Sequence, residues 1–153
     1  MTAINSPPLC RGGRIFTDFA MCNCFSKNLG LGEAAKLAAA VAVAGRSGRI
    51  SIPAMINGVE RNIIIQWVAG FMANESGVAT VSLPLAFPNE LLFATAIDNG
   101  ATASSWPGSM GTTWGMDSYA SSKTTVIARV LKTSNGSTWT SGPAAGNVLA
   151  IGY

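Results

Sequence analysis

From Arg49 the chain alternates: Ile50, Ile52, Ala54 and Ile56 recur at every second position with polar or small residues between them, Asn57-Gly58 interrupts, and Arg61 to Ala69 resumes the apolar character. A period of two is the signature of a strand that turns one face to a core, and Asn-Gly is the strongest two-residue hairpin signal. Further strands are predicted over 77–83, 90–98, 112–119, 123–132 and 147–153. Turn chemistry separates them at Pro88-Asn89, Asn99-Gly100, Pro107-Gly108, Asn135-Gly136 and Gly142-Pro143. Strands at this spacing, with no helix between them, predict a mainly β chain folded as an antiparallel β-sandwich. The last run, Val148 to Tyr153, ends the sequence on an apolar strand, which needs docking in a sheet or an interface to cover its backbone groups.

Upstream of Arg49 the pattern changes. Residues 1–28 hold Pro7, Pro8, Gly12, Gly13 and all three cysteines and read as an irregular arm. The alanine-dense run 33–44 predicts one short helix, with Glu33 at its positive end and Gly45 at its stop. Such a helix is apolar on nearly every face, so it packs either on the sandwich or against copies of itself. The expected organisation is an attachment and oligomerisation region over 1–46 and a sandwich over 47–153.

Composition adds an expectation about assembly. Only 11% of the residues are charged, against about 25% in an ordinary soluble domain, so a subunit interface is expected to cover part of the surface. The net charge of +3 is scattered, with no aromatic residues interleaved among the arginines, which argues against nucleic acid. The opening residues lack the pattern of an export signal, and Ala34 to Ala44 is far shorter than the roughly 20 residues that span a bilayer. Synthesis in the cytoplasm and no membrane insertion are therefore expected. Cys10, Cys22 and Cys24 read as free thiols rather than as metal ligands.

The chain has no histidine, and its seven carboxylates are dispersed. This removes the commonest general base and metal ligand and leaves little support for a catalytic pair, so no enzymatic activity, metal or cofactor is expected. Candidate chemistry concentrates in 98–119, where Trp106, Trp114 and Tyr119 accompany Asp98, Asn99, Asp117 and many hydroxyl side chains; Trp139 in the 135–143 loop is a further candidate. Sugars present apolar C–H faces that stack on aromatic rings, and hydroxyls that carboxylates and amides hold, so these residues form a candidate saccharide surface. Each tryptophan has a competing reading as a core or interface anchor, the expectation for Trp67. Arg129, inside an apolar strand, reads as an intersubunit ion pair, a contact to an anionic glycan, or an outward-facing charge.

Four segments carry a family resemblance: Ile64-Ile65-Gln66-Trp67, Val81 to Asn89 with its Phe-Pro-Asn turn, Thr125 to Val130, and the closing Ala150-Ile151-Gly152-Tyr153. Together they resemble the C-terminal domain of phage and prophage tail fibres of the gp53-like group, itself similar in shape to H-type lectins, over roughly residues 59–153. Val68 and Val148 depart from the family pattern, and both fall where protomers are expected to pack. The resemblance implies a homotrimeric receptor-binding tip in the virion. Its partners would be a bacterial surface polysaccharide, lipopolysaccharide or capsule, and other tail or virion proteins reached through the N-terminal region. The alternative is a structural virion cap or connector whose aromatic loops bind protein.

Overall fold

The structure, a computed structural model, describes residues 37–106 and 108–153. Nine strands follow in chain order: β1 (Val41–Val43), β2 (Gly48–Ile56), β3 (Val59–Met72), β4 (Val78–Ser82), β5 (Leu91–Asp98), β6 (Gly111–Met116), β7 (Thr125–Thr133), β8 (Thr140–Ser141) and β9 (Ala145–Gly152). Residues 39–153 form one compact unit. Sheet A runs β1-β2-β3-β9-β5, and sheet B runs β4-β7-β6 with β8 on β7. Every pairing is antiparallel, as the alternation predicts.

The β2–β3 hairpin turns at Asn57-Gly58, both with positive φ (52° and 79°), the conformation for which Asn-Gly is suited. The C-terminal strand is docked as expected: β9 lies inside sheet A, paired on both sides, Ala150 with Gln66 and with Ala94. The two sheets enclose a core of Ile64, Val148 and Ala150 from sheet A against Ala79, Val81, Val126, Ala128 and Val130 from sheet B, and Phe87 plugs it from the β4–β5 connection. Small side chains on sheet B let the layers approach closely, as dense packing requires.

Two expectations need correction. Residues 37–44 of the expected helix contain strand β1 instead, with Val41 opposite Ser51 and Val43 opposite Arg49. A short helix draws most of its stability from tertiary contacts, and here β2 offers a free edge to which two β-branched valines at alternate positions pair readily. Residues 33–36, like the cysteine-containing arm, lie outside the described residues. Val68 and Val148 are not at a protomer surface: they stand opposite each other in register and face the layer between the sheets, Val148 fully buried.

Candidate functional site

Strand direction separates the two ends of the sandwich. β5 ends at Asp98, β6 begins at Gly111 and β7 ends at Thr133, so the loops 99–110 and 134–139 share one end. They abut: a Cβ on Gly136 would lie 3.8 Å from the Ser109 carbonyl oxygen. β1 runs from the level of Ser51 and Ile64 toward that same end.

Both loops are held by their own hydroxyl and amide groups. Ser105 Oγ donates to the Gly100 carbonyl oxygen at 2.9 Å and accepts the Thr102 N–H at 2.9 Å, while the Trp106 N–H donates to the Thr102 carbonyl oxygen at 2.9 Å. In the second loop Asn135 Oδ1 accepts the N–H groups of Ser137 (3.0 Å) and Thr138 (2.9 Å), and Thr133 Oγ1 accepts the Gly136 N–H at 3.0 Å. Side chains that bond to nearby backbone in this way fix a loop without secondary structure.

Beneath the first loop, against the ends of β5, β6 and β7, lies a cleft of about 210 Å³ lined by Asp98, Ser105, Trp106, Met110, Thr112 and Lys132, among others. A neighbouring depression of about 300 Å³ shares Met110, Lys132 and Thr133 and continues past Asn135 and Thr138. Asp98 and Thr112 bridge the two sheets, the Thr112 hydroxyl donating to Asp98 Oδ2. Lys132 reaches the site because it pairs with Thr112 across β6 and β7; one of its three N–H groups donates to the Pro143 carbonyl oxygen at 3.1 Å. Trp106 is 44% exposed. The cleft therefore combines an indole, a carboxylate, an ammonium and hydroxyls on loops fixed before any ligand arrives, a set suited to reversible holding of a polyhydroxylated molecule.

The other expected site residues are distributed elsewhere. Asn99 is at the same end, its N–H bonded to the Ala145 carbonyl oxygen at 3.1 Å. Trp139 is exposed in the second loop, outside the lining of either depression although its neighbours Thr138 and Thr140 line one of them. Trp114 turns into the core and meets Phe71 edge to face at 5.3 Å; its indole N–H is buried with no partner among the described residues. Tyr119 is fully exposed, but it occupies the β6–β7 turn at the opposite end of the sandwich.

Arg129 has its acidic partner within the chain. Its Nη2 and Nε lie 2.8 Å and 3.2 Å from Asp117 Oδ2, on the outer face of sheet B, with the arginine side chain 58% exposed and the aspartate 22%. The Arg129 guanidinium first, and the Ala120 N–H second, hold the Asp117 carboxyl below its ordinary value. A broader depression of about 490 Å³ lies beside this pair, lined by Thr113, Leu131, Ser76 and Ser141. It is more apolar than the loop-end cleft, and Trp114, which packs into the core, is the aromatic residue of its lining. Lys132 is the residue that sequence reasoning missed: an isolated lysine near the end of a strand carries no signal until the register is known. Among the described residues no three of His, Cys, Asp and Glu gather into a metal site.

Residues 60–153 match the family model described as putative tail fiber protein gp53-like, C-terminal. The Escherichia coli (strain K12) uncharacterized protein StfP is 48% identical over 73 residues, 46% of this chain and 35% of that protein, so the chain spans about a third of this curated relative. Among solved structures, an N-truncated R2-type pyocin tail fibre superposes with a TM-score of 0.56 at 18% identity, spanning 97% of this chain and 56% of the fibre chain. A C-terminal portion of the Pseudomonas aeruginosa R2 pyocin fibre gives 0.55 at 18% identity, spanning 97% of this chain and 38% of the other. At such identities the structural likeness is one of fold.

Proposed function

The chain belongs to the gp53-like C-terminal family of putative tail fibre proteins, and on that premise we propose that it is the receptor-binding tip of a phage or phage-derived tail fibre. In this reading it is a virion component made in the host cytoplasm, and it adheres without catalysis to a bacterial surface saccharide of the lipopolysaccharide or capsule type. The observation that carries the reading is the loop-end cleft, which sets Trp106 beside Asp98 and Lys132 at one end of the sandwich.

Each group has a role in binding. The Trp106 indole stacks on the apolar face of a sugar ring, the Asp98 carboxylate accepts ring hydroxyls, and Lys132 donates to oxygens or pairs with an acidic substituent. One shallow cleft of this size supports weak binding. Three copies in a homotrimer raise the effective concentration of the second and third contacts, so the assembly adheres firmly. The 1–46 region joins the tip to other tail proteins in this scheme.

Adhesion rather than hydrolysis is favoured because Asp98 and Asp117, the carboxylates of the candidate stretch, lie at opposite ends of the sandwich, whereas a glycosidase pair needs them within roughly 5–9 Å. The test is to incubate the purified chain with isolated surface polysaccharides and follow both retention on the polymer and new reducing ends. Retention without new reducing ends is expected. Release of oligosaccharides would make the protein a depolymerase, and incorporation into particles without retention on any polymer would make it a cap or connector.

A further inference from the structure

The depression on the outer face of sheet B shares no lining residue with the loop-end cleft. Its make-up follows from the register. One row across β6, β7 and β8 reads Thr113, Leu131 and Ser141, and the next, across β6, β7 and β4, reads Gly115, Arg129 and Val78. Leu131 is 44% exposed, has a hydroxyl residue on each side, and lies about 7 Å along β7 from Arg129. The result is an apolar centre with polar groups around it.

Two glycines shape this space of about 490 Å³. Gly115 stands directly opposite Arg129, and a Cβ there would meet nothing within 4 Å, so the sheet is bare beside the guanidinium. Gly77, at φ 70°, brings the chain into β4 hard against β7: its carbonyl oxygen accepts the Val130 N–H at 2.8 Å, and a Cβ on it would lie 3.0 Å from Ser141 Cβ. That wall is backbone and is fixed before any ligand arrives. The hydroxyls of Ser76, Thr113 and Ser141 line the space and bond to no other described residue.

Arg129 gives the depression its charge. The ion pair with Asp117 occupies Nε and one N–H of Nη2, both directed at a single carboxylate oxygen. The fork formed by Nη1 and the second N–H of Nη2 has no partner among the described residues, and it is the bidentate edge that fits a planar carboxylate. Arg129 lines the depression and Asp117 does not. We propose that this depression is a second binding site, and that it takes a sugar carrying a carboxylate on its ring, a hexuronic acid unit. The ring lays an apolar C–H face on Leu131, its hydroxyls meet Ser76, Thr113 and Ser141, and its carboxylate reaches the open fork of Arg129. Asp117 already offsets one charge of the site, which suits a monoanion better than the nearly dianionic phosphate of a sugar phosphate. The assignment does not rest on Trp106 or on the loop-end cleft.

The test titrates the full-length, ¹⁵N-labelled chain with sodium glucuronate, glucose, sodium acetate and glucose 6-phosphate at constant ionic strength, and follows the amide resonances of Gly115 and Leu131. Glucuronate is expected to shift both saturably, and the other three probes to act at least about tenfold more weakly, the factor set by a hydrogen bond to a charged group. Gly115→Leu, which places a side chain in the open space, and Arg129→Gln, which removes the fork, are each expected to weaken glucuronate by at least about tenfold, while Trp106→Ala leaves it unchanged. Absence of shifts at Gly115 and Leu131, as when another copy of the chain covers this face, overturns the proposal. So does an equal response to glucose or to acetate, which would remove the need for the charge or for the sugar, and so does tighter binding of glucose 6-phosphate. Loss of glucuronate binding in Trp106→Ala with no effect of Gly115→Leu would put the acidic sugar in the loop-end cleft, which overturns the second site and leaves adhesion at the cleft standing. Conversely, loss of cell attachment in Trp106→Ala with glucuronate binding retained supports the two sites separately.

Discussion

Gln66 and Leu85 hold each other through both ends of the Gln66 side-chain amide: Nε2 donates to the Leu85 carbonyl oxygen and Oε1 accepts the Leu85 N–H, each at 2.7 Å. Gln66 is fully buried in the middle of β3, where an apolar residue would be expected. Its amide acts as one rung of a β-ladder for a segment that is not a strand, and so fixes the 83–90 connection that carries Phe87 into the core. Gln66→Leu removes both bonds and leaves the Leu85 backbone groups without protein partners. A loss of about 2 kcal/mol is expected, read as a lower denaturation midpoint at unchanged slope.

Gly152 is a position of close approach. A Cβ there would sit 2.3 Å from the Glu90 carbonyl oxygen and 2.5 Å from Phe87 Cδ1. Gly152→Ala is therefore expected to destabilise by about 2–3 kcal/mol through forced displacement of the plug. Gly115→Ala, where nothing lies within 4 Å, is expected to cost nothing measurable. Melting temperatures of the two variants give the comparison.

Two tryptophans of the same stretch have opposite roles. Trp114→Ala empties the contact with Phe71 and is expected to cost about 3 kcal/mol or more. Trp106→Ala removes an exposed side chain and is expected to change stability by less than about 0.5 kcal/mol while abolishing attachment to cells. Thermal unfolding alongside cell labelling separates the two effects; a destabilised Trp106→Ala would place that residue in the framework instead.

Acid weakens one surface contact in a defined direction. The folded Asp117 carboxyl is held below its ordinary value of 3.8, so the Arg129 pair contributes stability above that value and loses it as pH falls through the lower folded one. Arg129→Gln is expected to return the Asp117 titration toward 3.8, followed by NMR of the carboxyl carbon. At neutral pH the pair is exposed, so the variant's melting temperature is expected to stay close to the wild type's.

Much of the sandwich was legible because its rules are local. Alternation through Ile50–Ile56, the Asn57-Gly58 turn and the apolar closing strand each state their conformation within a few residues. β1 was not legible: alanine density speaks for helix, and the free edge of β2 that overrides it exists only after folding. The site divides in the same way. Asp98 and Trp106 are joined by one loop and were found together, whereas Lys132 arrives through its register with Thr112, 20 positions away. Asp117 and Tyr119 are near Trp106 in sequence but not in space, since β6, at roughly 3.3 Å per residue, carries the chain across the whole sandwich between them.

The central claim is that the loop-end cleft attaches the fibre tip to a bacterial surface saccharide. It is tested most directly by titrating candidate host cells and their extracted surface polysaccharide with wild-type protein and with Trp106→Ala, matched for mass and melting temperature. The account predicts saturable binding by the wild type and at least a tenfold loss in the variant, about 1.4 kcal/mol of the measured binding free energy. Equal binding by the two proteins would contradict it and move recognition to another face of the molecule.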